Sequence, residues 1–402
     1  MAFEFIDEPN AGGRLIVIGV GGGGNNAVDH MIEAKITGVE FIAVNTDSQA
    51  LTRSRAPVKM QVGAVLTNGR GSGGNPETGR QAALEDVELI RETLKGAEMV
   101  FVTAGFGGGT GTGAGPVIAE VAKSMGALTV AIITKPFNFE GKPRHDNAKA
   151  GIEELKKCVD TLIVVPNQKL LEVEMINKNT TIVEAFRMAD DILRQGVECI
   201  SGLITMTGLI NLDLNDVRRI MSGKGSALMG VGSASGEGRA IAAAKKAISS
   251  PLLENSDMSG AKGVIINIVG GTDLSLYEVN EAATIVSRAA DQEANVIFGA
   301  VIDPDLTNEI KVTVIATGFQ TEEEAARQQT AHEPGKPMEL FSIEELGNTP
   351  AFVRHAGANK KMKVLPAKSS ERILRENLEI PTFIRRKGLQ RMPVAAPRGK
   401  AD

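Results

Sequence analysis

Seven glycines fall within thirteen residues, Ala104-Gly-Phe-Gly-Gly-Gly-Thr-Gly-Thr-Gly-Ala-Gly-Pro116. Glycine at that density gives up much conformational entropy on folding, so the fold must gain something from it. An apolar run, residues 98–103, precedes the stretch and reads as a buried parallel strand. An Ala-rich segment, residues 116–125, follows and predicts a helix with Pro116 in its first turn. A Gly-rich turn from strand to helix brings bare backbone N–H groups against an anion, and the helix N-terminus adds partial positive charge. Thr110 and Thr112 add hydroxyls. An isolated cluster of this kind is equally a tight packing turn, so the rest of the chain decides.

The pattern recurs. Residues 14–20 form a second apolar strand that runs into Gly21-Gly-Gly-Gly-Asn-Asn26 and an amphipathic helix. Residues 39–46 form another strand, ending at Asp47. The Gly-rich loop 67–76 leads into a helix that ends near Lys95, with Gly96 as its C-cap. Residues 127–134 and 160–165 are further strands. Apolar strands alternating with helices predict a parallel sheet covered on both faces. Ligands on such sheets bind at the strands' carboxyl ends, and three Gly-rich loops plus Asn45-Thr46-Asp47 all fall there.

Thr181-x-x-Glu184 fits a capping box. Ile182, Phe186, Ala189, Leu193, Gly196 and Ile200 then recur at helical spacing, predicting one long helix able to join two domains. Beyond it, strands at 227–234, 263–269, 295–302 and 309–316 and helices at 236–249 and 275–291 predict a four-stranded mixed sheet with two helices. From about residue 320 the chain is rich in Gln, Glu, Lys and Pro and reads as a linker.

Composition narrows the class. The net charge of −5 gives no nucleic-acid signature. Charge is uneven, however: residues 351–402 hold 13 Lys and Arg against 4 Asp and Glu, a basic tail on an acidic body. Two cysteines, Cys158 and Cys199, make neither a disulfide framework nor a zinc site. The acidic start predicts no signal peptide, and no apolar run approaches membrane-spanning length.

Gly19-Val-Gly-Gly-Gly-Gly24 satisfies G-x-G-x-x-G between strand and helix, with Asp47 placed as a ribose-binding acid. A dinucleotide-dependent oxidoreductase is therefore one reading. A second phosphate-type loop at 105–115 in the same half suits a longer triphosphate better. No G-x-x-x-x-G-K-[ST] occurs, which excludes an ordinary P-loop.

The run Gly-Gly-Gly-Thr-Gly-Thr-Gly113 resembles the signature of the tubulin/FtsZ family of GTPases. Gly21 to Asn26, Asn45-Thr-Asp47, Lys135-Pro-Phe-Asn-Phe-Glu-Gly141, Asn211-Leu-Asp-Leu-Asn-Asp-Val-Arg218 and Ile248-Ser-Ser-Pro-Leu-Leu253 extend the likeness over about residues 12–320. The departures are local: Arg70 where the family has Leu, Ser72 and Gly74 where it has Ala, and Pro143 where a basic residue is usual.

The resemblance implies a Rossmann-like parallel-sheet GTPase domain (13–180) joined by a central helix (181–205) to a smaller α+β domain with a four-stranded mixed sheet (206–319). A disordered arm (1–12), a disordered linker (320–370), a partner-binding peptide (371–387) and a basic tail (388–402) complete the chain. It also implies GTP-binding roles for Gly22, Gly23, Gly24, Asn25, Asn26, Gly108, Gly109, Thr110, Gly111, Glu140, Arg144, Asn167, Phe186 and Asp190. Among these, Glu140 and Arg144 meet the ribose, Phe186 packs on the base, and Asn26 and Asp190 read guanine. One carboxylate can accept from both the N1–H and the amino group of guanine. Without the family, Asp190 reads as a solvated helix face and Phe186 as core.

Asn211, Asp213 and Asp216 are implied to be catalytic, acting on the GTP of the next subunit in a head-to-tail homopolymer. A helix of roughly 22 residues spans about 33 Å, so they cannot reach their own nucleotide. Implied cofactors are GTP/GDP and Mg²⁺, the ion held mainly by phosphates and water. The implied role is the contractile division ring of bacterial cytokinesis, on the inner face of the membrane at mid-cell. Ile380, Pro381, Phe383, Ile384, Arg385 and Arg386 resemble the family's C-terminal peptide, which binds membrane tethers and ring regulators. A structural homologue without turnover remains a third reading, disfavoured by Asp213 and Asp216.

Overall fold

The computed structural model describes residues 13–171, 180–205, 213–253, 258–304 and 306–319. Strand β1 (Leu15–Val20) is apolar almost throughout and buried at every position, as a central parallel strand must be. It runs straight into α1 (Gly21–Glu33). There follow β2 (Glu40–Asn45), α2 (Ser48–Arg53), β3 (Val58–Gln61), α3 (Ala64–Thr67), α4 (Pro76–Glu85), α5 (Val87–Thr93), β4 (Met99–Gly105), α6 (Thr110–Ser124), β5 (Leu128–Lys135), α7 (Lys142–Cys158), β6 (Thr161–Pro166) and α8 (Asn167–Leu170). The second half holds α9 (Ile182–Thr205), α10 (Leu214–Met221), β7 (Gly225–Ser235), α11 (Arg239–Ile248), β8 (Gly263–Gly270), α12 (Leu276–Ala289), β9 (Asn295–Ile302) and β10 (Glu309–Thr317).

These strands form one sheet in the order β3-β2-β1-β4-β5-β6-β7-β10-β8-β9. Strands β1 to β6 pair in parallel. Strand β10 lies antiparallel between β7 and β8, and β9 is parallel to β8. The expected four-stranded mixed sheet is thus present. Its strand β7 also continues the parallel sheet, through three pairs beside β6 from Thr161↔Gly225 to Ile163↔Ala227.

Alternate residues of each parallel strand enter opposite cores, as a period of two requires. Leu15, Val17, Met99 and Phe101 join the core that α1 and α9 cover. Ile16, Ile18, Val100 and Val102 join the core beneath α6. Helix α9 opens with the expected capping box: Glu184 N–H donates to Thr181 Oγ1 at 3.2 Å, and Thr181 N–H donates to Glu184 Oε2 at 2.7 Å. Its buried stripe includes Ala189, Leu193, Val197 and Ile200. A methyl added at Gly196 would meet Ile132 of β5 and Met229 of β7, so this face of α9 seats across both halves of the sheet.

Two boundaries differ from the sequence-based expectation. Helix α6 begins at Thr110, six residues before Pro116, which lies inside it. Glycine's poor helix propensity hides this first turn and a half. What stabilises it is tertiary contact: a Cβ at Gly113 would lie 1.9 Å from Pro76 O and 2.6 Å from Arg80 N of α4. Glycine alone lets α4 and α6 meet backbone to backbone. The expected single helix from 76 to 95 breaks at Asp86 (φ −112°, ψ 26°). The Asp86 carboxylate accepts from Gly63 N–H at 2.7 Å, a contact no local period reveals.

Gly113→Ala tests this packing. Alanine should gain about 1 kcal/mol from helix propensity. The overlap with the α4 backbone should outweigh that, for a net loss of about 1–3 kcal/mol in urea unfolding. Equal or greater stability would show that the two helices can separate without cost.

Candidate functional site

Helices α1 and α6 both start at the carboxyl edge of the parallel sheet without a side-chain cap. Their first-turn N–H groups are therefore unmatched within the helices and point outward with the positive dipole end. The two starts lie against each other, since a Cβ at Gly21 (φ +71°) would sit 2.8 Å from Gly111 N. Paired helix N-termini without an acidic first-turn residue form a site for an extended polyanion.

A cleft of about 440 Å³ opens over these termini. Its lining follows the strand order. Ser72 lies at the β2 end, next to Thr110. Gly22, Gly23 and Asn26 come from α1, and Gly108, Gly109, Thr110 and Gly111 from the start of α6. Thr134, Pro136, Glu140 and Arg144 follow β5, Asn167 follows β6, and Phe186, Ala189 and Asp190 come from α9. Four inter-strand spacings separate β2 from β6, about 19 Å. The cleft is therefore long and narrow, with a phosphate-type end over β2, β1 and β4 and an aromatic, acidic end beyond β5 and β6.

Each end has its own chemistry. Thr46, fully buried, places Oγ1 2.7 Å from Thr110 Oγ1, and Ser72 Oγ lies 3.1 Å from the same atom. At the other end the Glu140 carboxylate accepts from Phe137 N–H at 2.9 Å and from Arg144 Nη1 at 2.6 Å. Phe137 and Phe139 stack at 5.1 Å, and Phe186 meets Phe137 edge-on at 5.4 Å. Phe186 nonetheless stays 38% exposed, so part of its surface is left for a flat ring. Asn167 is 4% exposed and its Oδ1 has no hydrogen-bond partner. A buried, unmatched acceptor lining a cleft is a place for a ligand donor.

Among the cleft-lining residues, Asp190 carries the strongest electrostatic signal. Burial pushes its carboxyl up to about 7. The His30 ring lies beside it, with Nδ1 3.7 Å from Asp190 Oδ2. A carboxylate desolvated in this way gains from a ligand that presents N–H donors.

Fourteen residues were expected to bind nucleotide, and all but Gly24 and Asn25 line the cleft. Helical geometry turns those two inward. A Cβ at Gly24 would lie 2.4 Å from Thr103 O, so Gly24 lets α1 settle on β4. Asn25 is buried; with its amide turned to suit its neighbours it donates to Gly19 O (2.8 Å), Gly21 O (3.0 Å) and Val44 O (3.2 Å). It pins the turn. Thr112 is likewise structural, its Oγ1 accepting from Gly107 N–H at 2.9 Å. Asp47 does not line the cleft: it caps α2, accepting from Gln49 N–H at 2.9 Å and Ala50 N–H at 3.3 Å. Thr134, which lines the cleft, was missed. Its signal was a hydroxyl near the carboxyl end of an apolar parallel strand.

Asp213 and Asp216 lie elsewhere. Both are exposed, and Asp213 caps α10 by accepting from Asp216 N–H at 2.8 Å. In the same helix, Arg218 donates to Glu98 O at 3.2 Å and Gly126 O at 3.5 Å, the carbonyls just before β4 and β5. The acidic pair thus belongs to the amino edge of the sheet, opposite the cleft. Asn211 and the tail residues Ile380, Pro381, Phe383, Ile384, Arg385 and Arg386 lie outside the described residues. Among the described residues, no helix is long and apolar enough to cross a membrane.

Residues 14–175 match the model of the Tubulin/FtsZ family, GTPase domain. Residues 225–320 match the FtsZ family, C-terminal domain. The chain is similar to an empty FtsZ dimer from M. jannaschii, with 44% identity over 76% of this chain and 88% of that one, at a TM-score of 0.73. A tryptophan-to-tyrosine variant of M. jannaschii FtsZ gives 44% identity, 77% and 92% coverage and a TM-score of 0.74. A GTPγS-bound protofilament of CetZ2 from Haloferax volcanii shares the fold at 20% identity, 79% and 97% coverage and a TM-score of 0.65.

The raised Asp190 carboxyl predicts a pH effect without any ligand. Its contribution to stability is fully present below about pH 4 and is lost as pH rises through about 7. Asp190→Asn should therefore be more stable than the parent at pH 8 and lose most of that advantage at pH 5, in nucleotide-free urea unfolding. Equal stability at both pH values would show that Asp190 is well solvated.

Proposed function

The chain belongs to the tubulin/FtsZ family of GTPases, and on that premise we propose that it builds head-to-tail filaments of the bacterial division ring and hydrolyses GTP where one subunit meets the next. The observation that carries this reading is the separation of the two half-sites. The cleft lies at the carboxyl edge of the sheet and Asp213 and Asp216 at the amino edge. Strand β4 alone, seven residues, is roughly 23 Å long. One subunit's acidic pair therefore serves another subunit's nucleotide. Such a contact uses two different surfaces, does not close on itself, and propagates as a filament.

Within the cleft, GTP lies extended. Phe186 packs on the guanine, Asp190 accepts from its N1–H and amino group, and Asn26 and Asn167 supplement the reading. Glu140 and Arg144 hold the ribose. The phosphates lie on the N-termini of α1 and α6, with Gly22, Gly23 and Gly108 to Gly111 bringing backbone N–H groups close. Asp213 and Asp216 of the incoming subunit, with Asn211, orient the attacking water. Mg²⁺ would be carried on phosphate oxygens and water, where it would offset phosphate charge. The segment with Ile380, Pro381, Phe383, Ile384, Arg385 and Arg386 docks onto membrane tethers and ring regulators. That brings a cytoplasmic filament to the inner face of the membrane at mid-cell.

Because Asp213 also caps α10, Asp213→Asn is the cleaner test than alanine: it keeps an acceptor for the helix and removes the charge. The variant should bind GTP normally and lose roughly a hundredfold or more in turnover. Parent activity per molecule should rise with protein concentration. A dilute, monomeric sample at the full specific rate would sink the shared site.

Deleting residues 376–402 should leave GTP turnover and filament formation near normal and abolish placement at the division site, followed by fluorescence of a tagged chain in cells. Loss of turnover would assign the tail to the folded body instead.

A further inference from the structure

The phosphate end of the cleft holds no cation. Among the cleft-lining residues the charged ones are Glu140, Asp190 and Arg144, and Arg144 is already bonded to Glu140 at 2.6 Å. All three lie at the β5–β6 end. The opposite end, over β2 and β1, offers Ser72 and Thr110 hydroxyls and backbone N–H groups. A nucleoside triphosphate whose base sits by Asp190 and Phe186 sends its third phosphate toward that end, since the strand order leaves it nowhere else along the cleft. The most negative part of the ligand thus meets helix N-termini and hydroxyls but no cationic side chain of the lining.

Arg70 stands beside it. It is two residues from Ser72, which lines the cleft, and its backbone forms an antiparallel bridge with Asp47, next in chain to Thr46. Bridge partners lie about 5 Å apart, and Thr46 Oγ1 touches Thr110 Oγ1 at 2.7 Å. An arginine side chain spans that gap. Arg70 is exposed and makes no ion pair among the described residues. The backbone around it is glycine at 69, 71, 73 and 74, each at positive φ (71°, 81°, 61° and 75°). A Cβ at Gly73 or Gly74 would meet nothing within 4 Å, so packing does not explain these two glycines. They hold a left-handed backbone next to Ser72, which lines the cleft.

We propose that Arg70 is a specificity-determining residue that binds the terminal phosphate and makes this chain prefer GTP to GDP. It rests on the nucleotide orientation given under the proposed function. A guanidinium presents a rigid fork of donors matched to phosphate oxygens. The first two phosphates lie over α1 and α6, which already supply N–H groups, so GDP has no use for Arg70. The side chain therefore adds affinity only when a third phosphate is present.

The test is competition against a fluorescent GDP analogue with full-length chain below its assembly concentration, using GTPγS and GDP as competitors. Arg70→Leu should lower the preference for GTPγS about tenfold while leaving GDP affinity unchanged, and Arg70→Lys should restore part of it. An unchanged GTPγS-to-GDP ratio in Arg70→Leu overturns the proposal, as does a variant that is defective only in assembly, which would assign Arg70 to the neighbouring subunit. Equal loss of GTPγS and GDP affinity also overturns it, because the effect would then be on the loop. Failure of the parent chain to bind either nucleotide would instead overturn the proposed function on which the orientation rests.

Discussion

Everything at the cleft depends on how closely backbone approaches backbone at the carboxyl edge of the sheet. Gly19, Gly21, Gly23 and Gly24 let α1 start directly on β1 and against Gly105 and Gly111. Gly79, Gly109 and Gly113 let α4 and α6 touch without side chains between them. The result is two uncapped helix starts side by side, with their N–H groups aimed at one place. No side chain can supply that many donors in so small a space, which is why the glycines are worth their conformational cost.

The base end is built on the opposite principle. There the donors are left to the ligand. Asp190 is held mostly out of water with its carboxyl pushed up to about 7, and Asn167 keeps a buried Oδ1 without a partner. Both are costs in the empty protein. On the proposed reading, a guanine ring, with two adjacent N–H groups, would offset them, whereas adenine would present an acceptor where Asp190 needs a donor. Selectivity would then come as much from what the empty site lacks as from what it offers.

If the acidic pair on α10 serves hydrolysis as proposed, the molecule is incomplete by itself. The Arg218 contacts to Glu98 O and Gly126 O hold that helix to the amino edge of the sheet, so no side-chain movement can carry Asp213 to the cleft above it. On the proposed function, stacking would join the two poles and couple chemistry to assembly.

Much of this was legible in the chain itself. The apolar strands, their alternation with helices, the capping box at Thr181 and the mixed second sheet all follow from period and capping rules, because those are local properties. So does the convergence of three Gly-rich loops on one sheet edge. What the local pattern could not assign was the direction of individual side chains. Gly22, Gly23 and Asn26 face the cleft while Gly24 and Asn25 turn inward, since a helix advances 100° per residue and only the docked helix defines inside. Thr110 meets Ser72 and Thr46 while Thr112 closes its own loop. Helix α6 starts before Pro116, and the helix after Pro76 breaks at Asp86, because contacts with α4 and Gly63 override propensity. Asp190 read as a solvated face and became a buried acid when α9 packed across the sheet. Its chemistry belongs to that packing: desolvation depends on every neighbouring element at once, and no stretch of sequence contains them all.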